Sequence, residues 1–470
     1  MTLIPVLCPY CGAGCRLGLQ VEDGRAVGVE YLTDHPVALG ALCPKGNVAH
    51  EIIGHPDRLQ RPLVRENGRF READWDEALG RVARNLSRIR QEYGPDALGF
   101  LASAKATNEE NYLFQKLARL LGTNNVDHCA RLCHAPSVVG LRKALGSGAM
   151  TNPIPDLAHS RCILIIGSNF AENHPVVARW VWEARDRGAT VIVADPRYTP
   201  TARMADLYLP LRPGTDVALL NGMAAVILRE GLADYAFIAA RTEGFEGLQA
   251  ALADFTLDQA ATITGLAPQD ILRAARAYAR SPASAIVYCM GITQHIVGTD
   301  NVLACANLAL LCGQVGRPGA GLFPLRGQNN VQGASDMGAL AEVLPGYVPV
   351  ADDEGRRRLA RVWGREDLPA SPGLSVVEMM DAALEGRVRG MLVMGENPVV
   401  SDPAAGETAR ALENLEFLAV QDLFLTETAQ LADVVLPAAC WAEKSGSYTD
   451  TERRVQWSPK AVEPPAQARP

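Results

Sequence analysis

No apolar run in this sequence approaches the roughly 18 residues that a membrane-spanning helix requires; Val302 to Cys312 is among the longest. Basic charge is not in excess either. Against 53 acidic residues stand 45 lysines and arginines, a net charge of −8, which offers no electrostatic case for nucleic acid. There is no G-x-G-x-x-G fingerprint and no P-loop, which argues against NAD and ATP as ligands. The start, Met1-Thr-Leu-Ile-Pro-Val-Leu-Cys8, has no basic region, no long apolar segment and no twin arginine. Low-complexity segments and repeats of fixed period are also missing. What remains, 470 residues with 48% hydrophobic and 21% charged, is a soluble globular chain of roughly three domains.

Cysteine is the informative residue. Cys8-Pro-Tyr-Cys11-Gly-Ala-Gly-Cys15, then Cys43-Pro-Lys45-Gly, supplies four thiols within 43 residues. C-x2-C-x3-C with a distant fourth thiolate matches the ligand count of a 4Fe–4S cluster. Gly12 and Gly14 keep the loop compact, and Lys45 puts a cation two residues past the last ligand. The competitor is structural zinc, which also takes four cysteines but usually pairs C-x2-C with C-x2-C. A three-plus-one split favours the cluster and predicts electron transfer. Seven cysteines lie elsewhere: Cys129, Cys133, Cys162, Cys289, Cys305, Cys312 and Cys440. An odd remainder without an export signal points to free thiols in a reducing, cytoplasmic setting.

Along the chain, the cluster segment runs to about Asp57, and Arg58-Leu-Gln-Arg-Pro62 reads as a short connection. Asp74-Trp-Asp-Glu77 resembles a capping box opening a helix with Ala78, Leu79, Val82, Leu86 and Ile89 on one face, stopped by Gly94. From there to about Pro437, strand, polar turn and helix repeat, which predicts an α/β architecture with largely parallel sheets. Five apolar strands end in polar turns. Cys162–Ile166 leads to Asn169 and Asn173, Thr190–Ala194 to Asp195 and Arg197, and Ala285–Met290 to Gly291 and Gln294. Met391–Met394 leads to Gly395 and Asn397, and Phe417–Val420 to Gln421 and Asp422. Ligands in open α/β sheets bind beyond the carboxyl ends of strands. Turn chemistry explains any one of these ends; five together suggest the lining for a large nucleotide-like ligand.

Two further segments carry reactive groups. Asp127-His-Cys129-Ala-Arg-Leu-Cys133-His134 places a soft metal ligand beside a proton acceptor, although a buried cysteine beside histidine is more often core. Leu325-Arg326-Gly-Gln328-Asn329 opens a polar, glycine-rich stretch to Gly338, in which Arg326 offers a bidentate fork for a carboxylate or other small oxyanion.

With these segments the chain resembles the catalytic subunit of molybdopterin-dependent formate dehydrogenases, in the dimethyl sulfoxide reductase family. The likeness runs through the cluster loop, Cys129-Ala-Arg-Leu-Cys133-His134-Ala-Pro-Ser, Gly148-Ala-Met-Thr-Asn152, Asp195-Pro-Arg197, Arg326-Gly-Gln-Asn-Asn-Val-Gln-Gly333 and Gly395-Glu-Asn-Pro398, over essentially all 470 residues. It implies molybdenum or tungsten held by two pterin guanine dinucleotides. By position, Cys133 is implied as the protein ligand to that metal, His134 as proton acceptor and Arg326 as the residue that orients formate. Lys45 is implied between cluster and pterin, and the five strand ends with Gln328 as dinucleotide-binding turns. The implied partners are formate and an electron-accepting iron–sulfur or flavin subunit.

The implied domains are a cluster domain over 1–57, a discontinuous pterin-binding domain over 58–128 and 329–440, and a second over 129–328. Family members continue into a C-terminal domain, so residues 441–470 are expected as a truncated linker toward a missing one. The alternatives are an assimilatory nitrate reductase, which the segments around Cys133 and Arg326 oppose, and a non-catalytic electron-transfer subunit. The latter carries extra cluster cysteines upstream, and here only seven residues precede Cys8.

Overall fold

The computed structural model describes the whole chain, Met1–Pro470. Its first element is an antiparallel sheet of β1 (Thr2–Leu7), β2 (Arg16–Glu22) and β3 (Arg25–Glu30). The cysteine loop is the connection between β1 and β2, pinned where the Cys8 amide donates to the Cys15 carbonyl at 2.9 Å.

The hairpin of β4 (Leu63–Glu66) and β5 (Arg69–Glu72) is followed by β6 (Leu98–Leu101) and β7 (Val126–Asp127). The chain then leaves to build a parallel five-stranded sheet from β8 (Cys162–Ile166), β9 (Thr190–Ala194), β10 (Leu207–Leu209), β11 (Ser284–Tyr288) and β12 (Gly321–Pro324), in the order 10-9-8-11-12. After a small ribbon of β13 (Val343–Leu344) and β14 (Val348–Pro349) it returns with β15 (Gly390–Met394), β16 (Phe417–Asp422) and β17 (Val434–Pro437). These complete a seven-stranded sheet ordered 5-4-17-16-15-6-7. The β4–β5 hairpin is its antiparallel edge; β17, β16, β15, β6 and β7 run parallel.

Both parallel sheets are covered on both faces, so their strands are apolar throughout rather than alternating. In β8, Leu164 and Ile166 enter one core with the helices Asp216–Arg229 and Pro268–Arg280, while Ile163 and Ile165 enter another. That second core also holds Val6, Leu17 and Leu19, so the cluster segment is packed against the five-stranded sheet. The seven-stranded sheet is divided likewise, with Phe100, Leu392 and Ala419 on one face and Leu101, Val393 and Val420 on the other.

Three sequence expectations change. The helix Trp75–Tyr93 forms between the Asp74 cap and Gly94 as expected, but Leu79 is exposed. Its box is one-sided: Asp74 accepts from the Glu77 amide, whereas the Glu77 carboxylate binds Arg71 and Arg81 instead of returning to the cap. Residues 441–470, expected as a linker, are integral. They form the hairpin β18 (Gly446–Thr449) and β19 (Val455–Ser458), place Trp441, Ala442 and Val462 in the core beside the cysteine loop, and bury Thr449, Asp450 and Thr451. Arg58, at the start of the expected connection, forms a fully buried ion pair with Glu443 at 2.8 Å, tying that connection to the C-terminal segment.

Candidate functional site

Cys8, Cys11, Cys15 and Cys43 line one small enclosed pocket with Tyr10 and Leu42. Four thiols around one shared space supply the four corners that a 4Fe–4S cluster takes. Burial pushes the Cys8 thiol up to about 12 and also raises Cys11 and Cys15. Thiolates in such surroundings require bound cationic metal. The second wall of this pocket is Pro175 and Val176.

Gly12 shows how closely this loop meets the rest of the site. Its amide donates to the Arg326 carbonyl at 3.2 Å, and a Cβ there would stand 2.7 Å from that oxygen. The same carbonyl accepts from His174 Nε2 at 2.8 Å, and the Arg326 amide donates to Thr451 Oγ1 at 3.1 Å.

Cys133 ends the short helix Ala130–Cys133, and His134 opens the next, Ala135–Leu145, with Pro136 in its first turn. The Cys133 sulfur lies against Gly327, where a Cβ would come within 3.8 Å. Burial raises this thiol, opposed by the Gly327 amide and the Arg326 charge. His134 has no free nitrogen: Nε2 is 3.0 Å from the Leu325 carbonyl and Nδ1 is 2.9 Å from Ser137 Oγ. A carbonyl only accepts, so Nε2 carries the proton and Nδ1 accepts from the serine. Burial, then the Arg326 charge, pulls His134 down to about 3.

Four arginines are buried, and they are not equivalent. Arg58 has the Glu443 carboxylate, and Arg356 has Asp353 and Asp367. Arg119 has no carboxylate but reaches the carbonyls of Gln115, Leu340 and Val343 and the Gln115 side chain. Arg326 has one contact, from Nη2 to the Gly148 carbonyl at 3.1 Å, while Nε and Nη1 have none. A fully buried guanidinium with no counter-ion and two idle donor atoms is costly unless an anion completes it.

The strand-end residues fall into two sets. Gly395, Gln421 and Asp422 line a cavity of about 230 Å³ at the carboxyl ends of β15 and β16, together with Ser103 and Lys105. Asn397 is nearby but committed to the turn, bonded to Glu427 and Thr428. Asn169, Asn173, Asp195, Arg197, Gly291 and Gln294 lie at the ends of β8, β9 and β11, where Gly291 touches Gly167 so closely that a Cβ on either would meet the other's backbone within 2.6 Å. Asp195 is buried and accepts from the Arg197 amide, whereas Asn173 and Arg197 are exposed. The Cys133 helix bridges the two sets: Gln294 donates to the Leu132 carbonyl at 2.7 Å, Thr293 to the Cys133 carbonyl, and the Cys129 amide donates to Glu396 at 2.9 Å. Gln328 donates to the Cys129 sulfur at 3.2 Å. Lys45 donates to the Glu172 carbonyl at 3.0 Å.

The description "Molybdopterin oxidoreductase" matches residues 58–470, and "Molybdopterin oxidoreductase Fe4S4 domain" matches residues 1–55. This chain belongs to the molybdopterin oxidoreductase family. It is 50% identical over 469 residues to F420-dependent formate dehydrogenase 1 subunit alpha of Methanococcus maripaludis, covering all of this chain and 68% of that one. It is 43% identical to formate dehydrogenase H of Escherichia coli, covering 99% and 66%. Among solved structures it resembles acetylene hydratase from Pelobacter acetylenicus, with a TM-score of 0.80 at 26% identity, covering 99% of this chain and 67% of that one. The chain thus spans about two thirds of the length of these relatives.

The cofactors of a molybdopterin oxidoreductase with this first domain are a 4Fe–4S cluster and molybdenum bound by molybdopterin. The donor sets fit both: four thiols around one pocket for the cluster, and for the pterin-held metal a strand-end cavity lined by Gly395, Gln421 and Asp422, with the soft Cys133 sulfur on the helix that joins the two strand-end sets. Sequence reading overlooked Lys105, His174 and Thr451. Lys105 had a signal of the same kind as the others, since Leu98–Leu101 is also an apolar strand ending in a polar turn. His174 and Thr451 had none, because each matters only through the Arg326 backbone.

Proposed function

We propose that the chain oxidises formate to carbon dioxide, a proton and two electrons at a molybdenum or tungsten centre carried by two pterin guanine dinucleotides. A 4Fe–4S cluster held by Cys8, Cys11, Cys15 and Cys43 would supply the exit for those electrons, toward an electron-accepting iron–sulfur or flavin subunit. The observation that carries this is Arg326: a buried cation with no counter-ion and two unpartnered nitrogens, next to the loop that touches the Cys133 sulfur. Fold alone does not decide the reaction, since a chain of this fold bears the name hydratase. The formate dehydrogenase relatives and the arginine together do.

Arg326 binds the carboxylate by its two idle donors, which fixes the carbon–hydrogen bond in one direction and supplies orientation. Cys133 would supply the protein sulfur to a molybdenum or tungsten ion, with the Gly327 amide beside that sulfur, and the ion would supply the two-electron acceptor. His134, engaged at both nitrogens, keeps the Leu325 carbonyl and hence the Arg326 loop in register; a free lone pair for substrate protons is not among its contacts. Lys45 and the strand-end residues Asn169, Asn173, Asp195, Arg197, Gly291, Gln294, Gln328, Gly395, Gln421 and Asp422 would hold the cofactor, with Asn397 fixing the turn that carries Gly395. No helix is long and apolar enough to cross a membrane, and eleven free cysteines suit a reducing, cytoplasmic setting.

The test is metal content and formate oxidation of anaerobically purified chain with an artificial electron acceptor. About four irons with stoichiometric molybdenum or tungsten, and formate-dependent dye reduction that Arg326→Leu removes, support the reading. Full metal content without formate oxidation sinks it.

A further inference from the structure

Two lysines approach the cysteine loop, and they do different things. Lys45 belongs to the loop's own segment, and its ammonium turns outward to the Glu172 carbonyl. Lys105 comes from another part of the fold, four residues beyond β6 of the seven-stranded sheet. Its ammonium donates to the carbonyls of Pro9 at 2.8 Å and Tyr10 at 2.6 Å, the two residues between Cys8 and Cys11, and lies 5.9 Å from the centre of the Tyr10 ring. Both carbonyls of the tight C-x2-C turn therefore end on one cation.

The far side of the same peptide faces a ligand. The Pro9 carbonyl and the Tyr10 amide are one peptide group, and the Tyr10 amide is a backbone group that favours the charged form of the Cys8 sulfur. A cation on the oxygen of a peptide polarises its N–H and strengthens the bond that N–H donates. Hydrogen bonds to ligand sulfurs and nearby charge are two of the factors that set an iron–sulfur potential. Reduction adds one electron to the cluster, so a fixed positive charge and a stronger N–H···S bond both favour the reduced form.

We propose that Lys105 is a positioning residue for the cluster, clamping the Cys8–Cys11 turn by its two carbonyls and raising the cluster's reduction potential. This rests on the reading of the four cysteines as a 4Fe–4S site. Lys105 also lines the strand-end cavity with Gly395 and Gln421.

The experiment is an anaerobic redox titration of the purified chain with dithionite, followed by the electron paramagnetic resonance signal of the reduced cluster, alongside iron and sulfide content. Lys105→Met removes the charge and the bonds; Lys105→Gln keeps a donor without charge; Lys105→Arg keeps the charge. The expected result is a tenfold loss in the one-electron reduction equilibrium for Lys105→Met, a downward shift of about 59 mV. Lys105→Gln should fall nearly as far and Lys105→Arg should restore the value. Should both neutral variants lose iron while Lys105→Arg retains it, the clamp is supported directly. An unchanged midpoint potential in Lys105→Met with its full iron complement overturns the proposal alone. A parent chain without about four irons overturns the cluster reading and the proposal together.

Discussion

The cysteine pocket and the Arg326 pocket touch through Gly12, whose amide donates to the Arg326 carbonyl and whose carbonyl accepts from the Thr451 amide, yet they are built in opposite ways. Three of the four thiols come from a single eight-residue loop and the fourth from Cys43, so local chain geometry makes most of that site. The arginine pocket gathers Cys133, His134, Gly148, Leu325–Gly327, His174 and Thr451 from across the chain. One site is complete in its own ligand types; the other is a charge left incomplete among buried groups. A site of the first kind tolerates change elsewhere, and a site of the second kind depends on everything around it.

The largest effect that separates them is loss of the cluster. Cys15→Ser is expected to abolish the about four irons per chain, read by iron analysis. Arg326→Leu should leave that iron in place, which breaks the contrast if it does not.

A second comparison is between Arg326 and Arg58. Arg58→Met strands the Glu443 carboxylate in the core, since both side chains of that pair are nearly inaccessible, at 2% and 1% exposure. Removing one partner of such a pair costs about 3–5 kcal/mol, to be read as a lowered urea midpoint. Arg326→Leu leaves no carboxylate stranded, so its stability should hold or rise. Its cost should appear in catalysis, as a loss of about 10²–10³ in kcat/KM for formate, the size seen when a preorganised oxyanion donor is removed. Arg326→Lys should recover little of it, because an ammonium lacks the planar fork.

A pH-dependent effect concerns His128, just upstream of Cys129. Burial, then the charges of Arg131 and Arg326, lower it to about 3 from the ordinary value near 6.5. The folded chain keeps it neutral while the unfolded chain protonates it, so its contribution is full above pH 6.5 and is lost as pH falls toward 3. His128→Gln should therefore flatten the dependence of unfolding free energy on pH across that window by one proton, about 1.4 kcal/mol per pH unit. Chemical denaturation at a series of pH values measures the difference, in which the other buried titrating groups cancel. An unchanged slope would mean that His128 is charged in the folded state.

The parallel strands β8, β9, β11, β15 and β16 were legible because buried parallel strands are continuous apolar runs followed by polar turns. Their edges were less so: β7 and β10 are two and three residues long and form only by joining a sheet. Leu79 fits the helical stripe by spacing but faces solvent, since spacing does not say how wide the covering core is. The segment after Cys440 carries a short alternation and several polar residues, and its place became visible only when Thr451 and Ser458 met Arg326 and Leu7.

By itself the sequence determined the α/β class, and it pointed to four cysteines as the cluster's ligand set and to Cys133 and Arg326 as candidate reactive groups. Each follows from residue type and short spacing, which local covalent geometry enforces. Tertiary structure alone decided that Arg326 lacks a counter-ion, that His134 is spent on Leu325 and Ser137, and that Lys105 rather than Lys45 grips the Cys8–Cys11 turn. Those are statements about which polar groups find partners after burial, and partners are set by the packing of segments hundreds of residues apart.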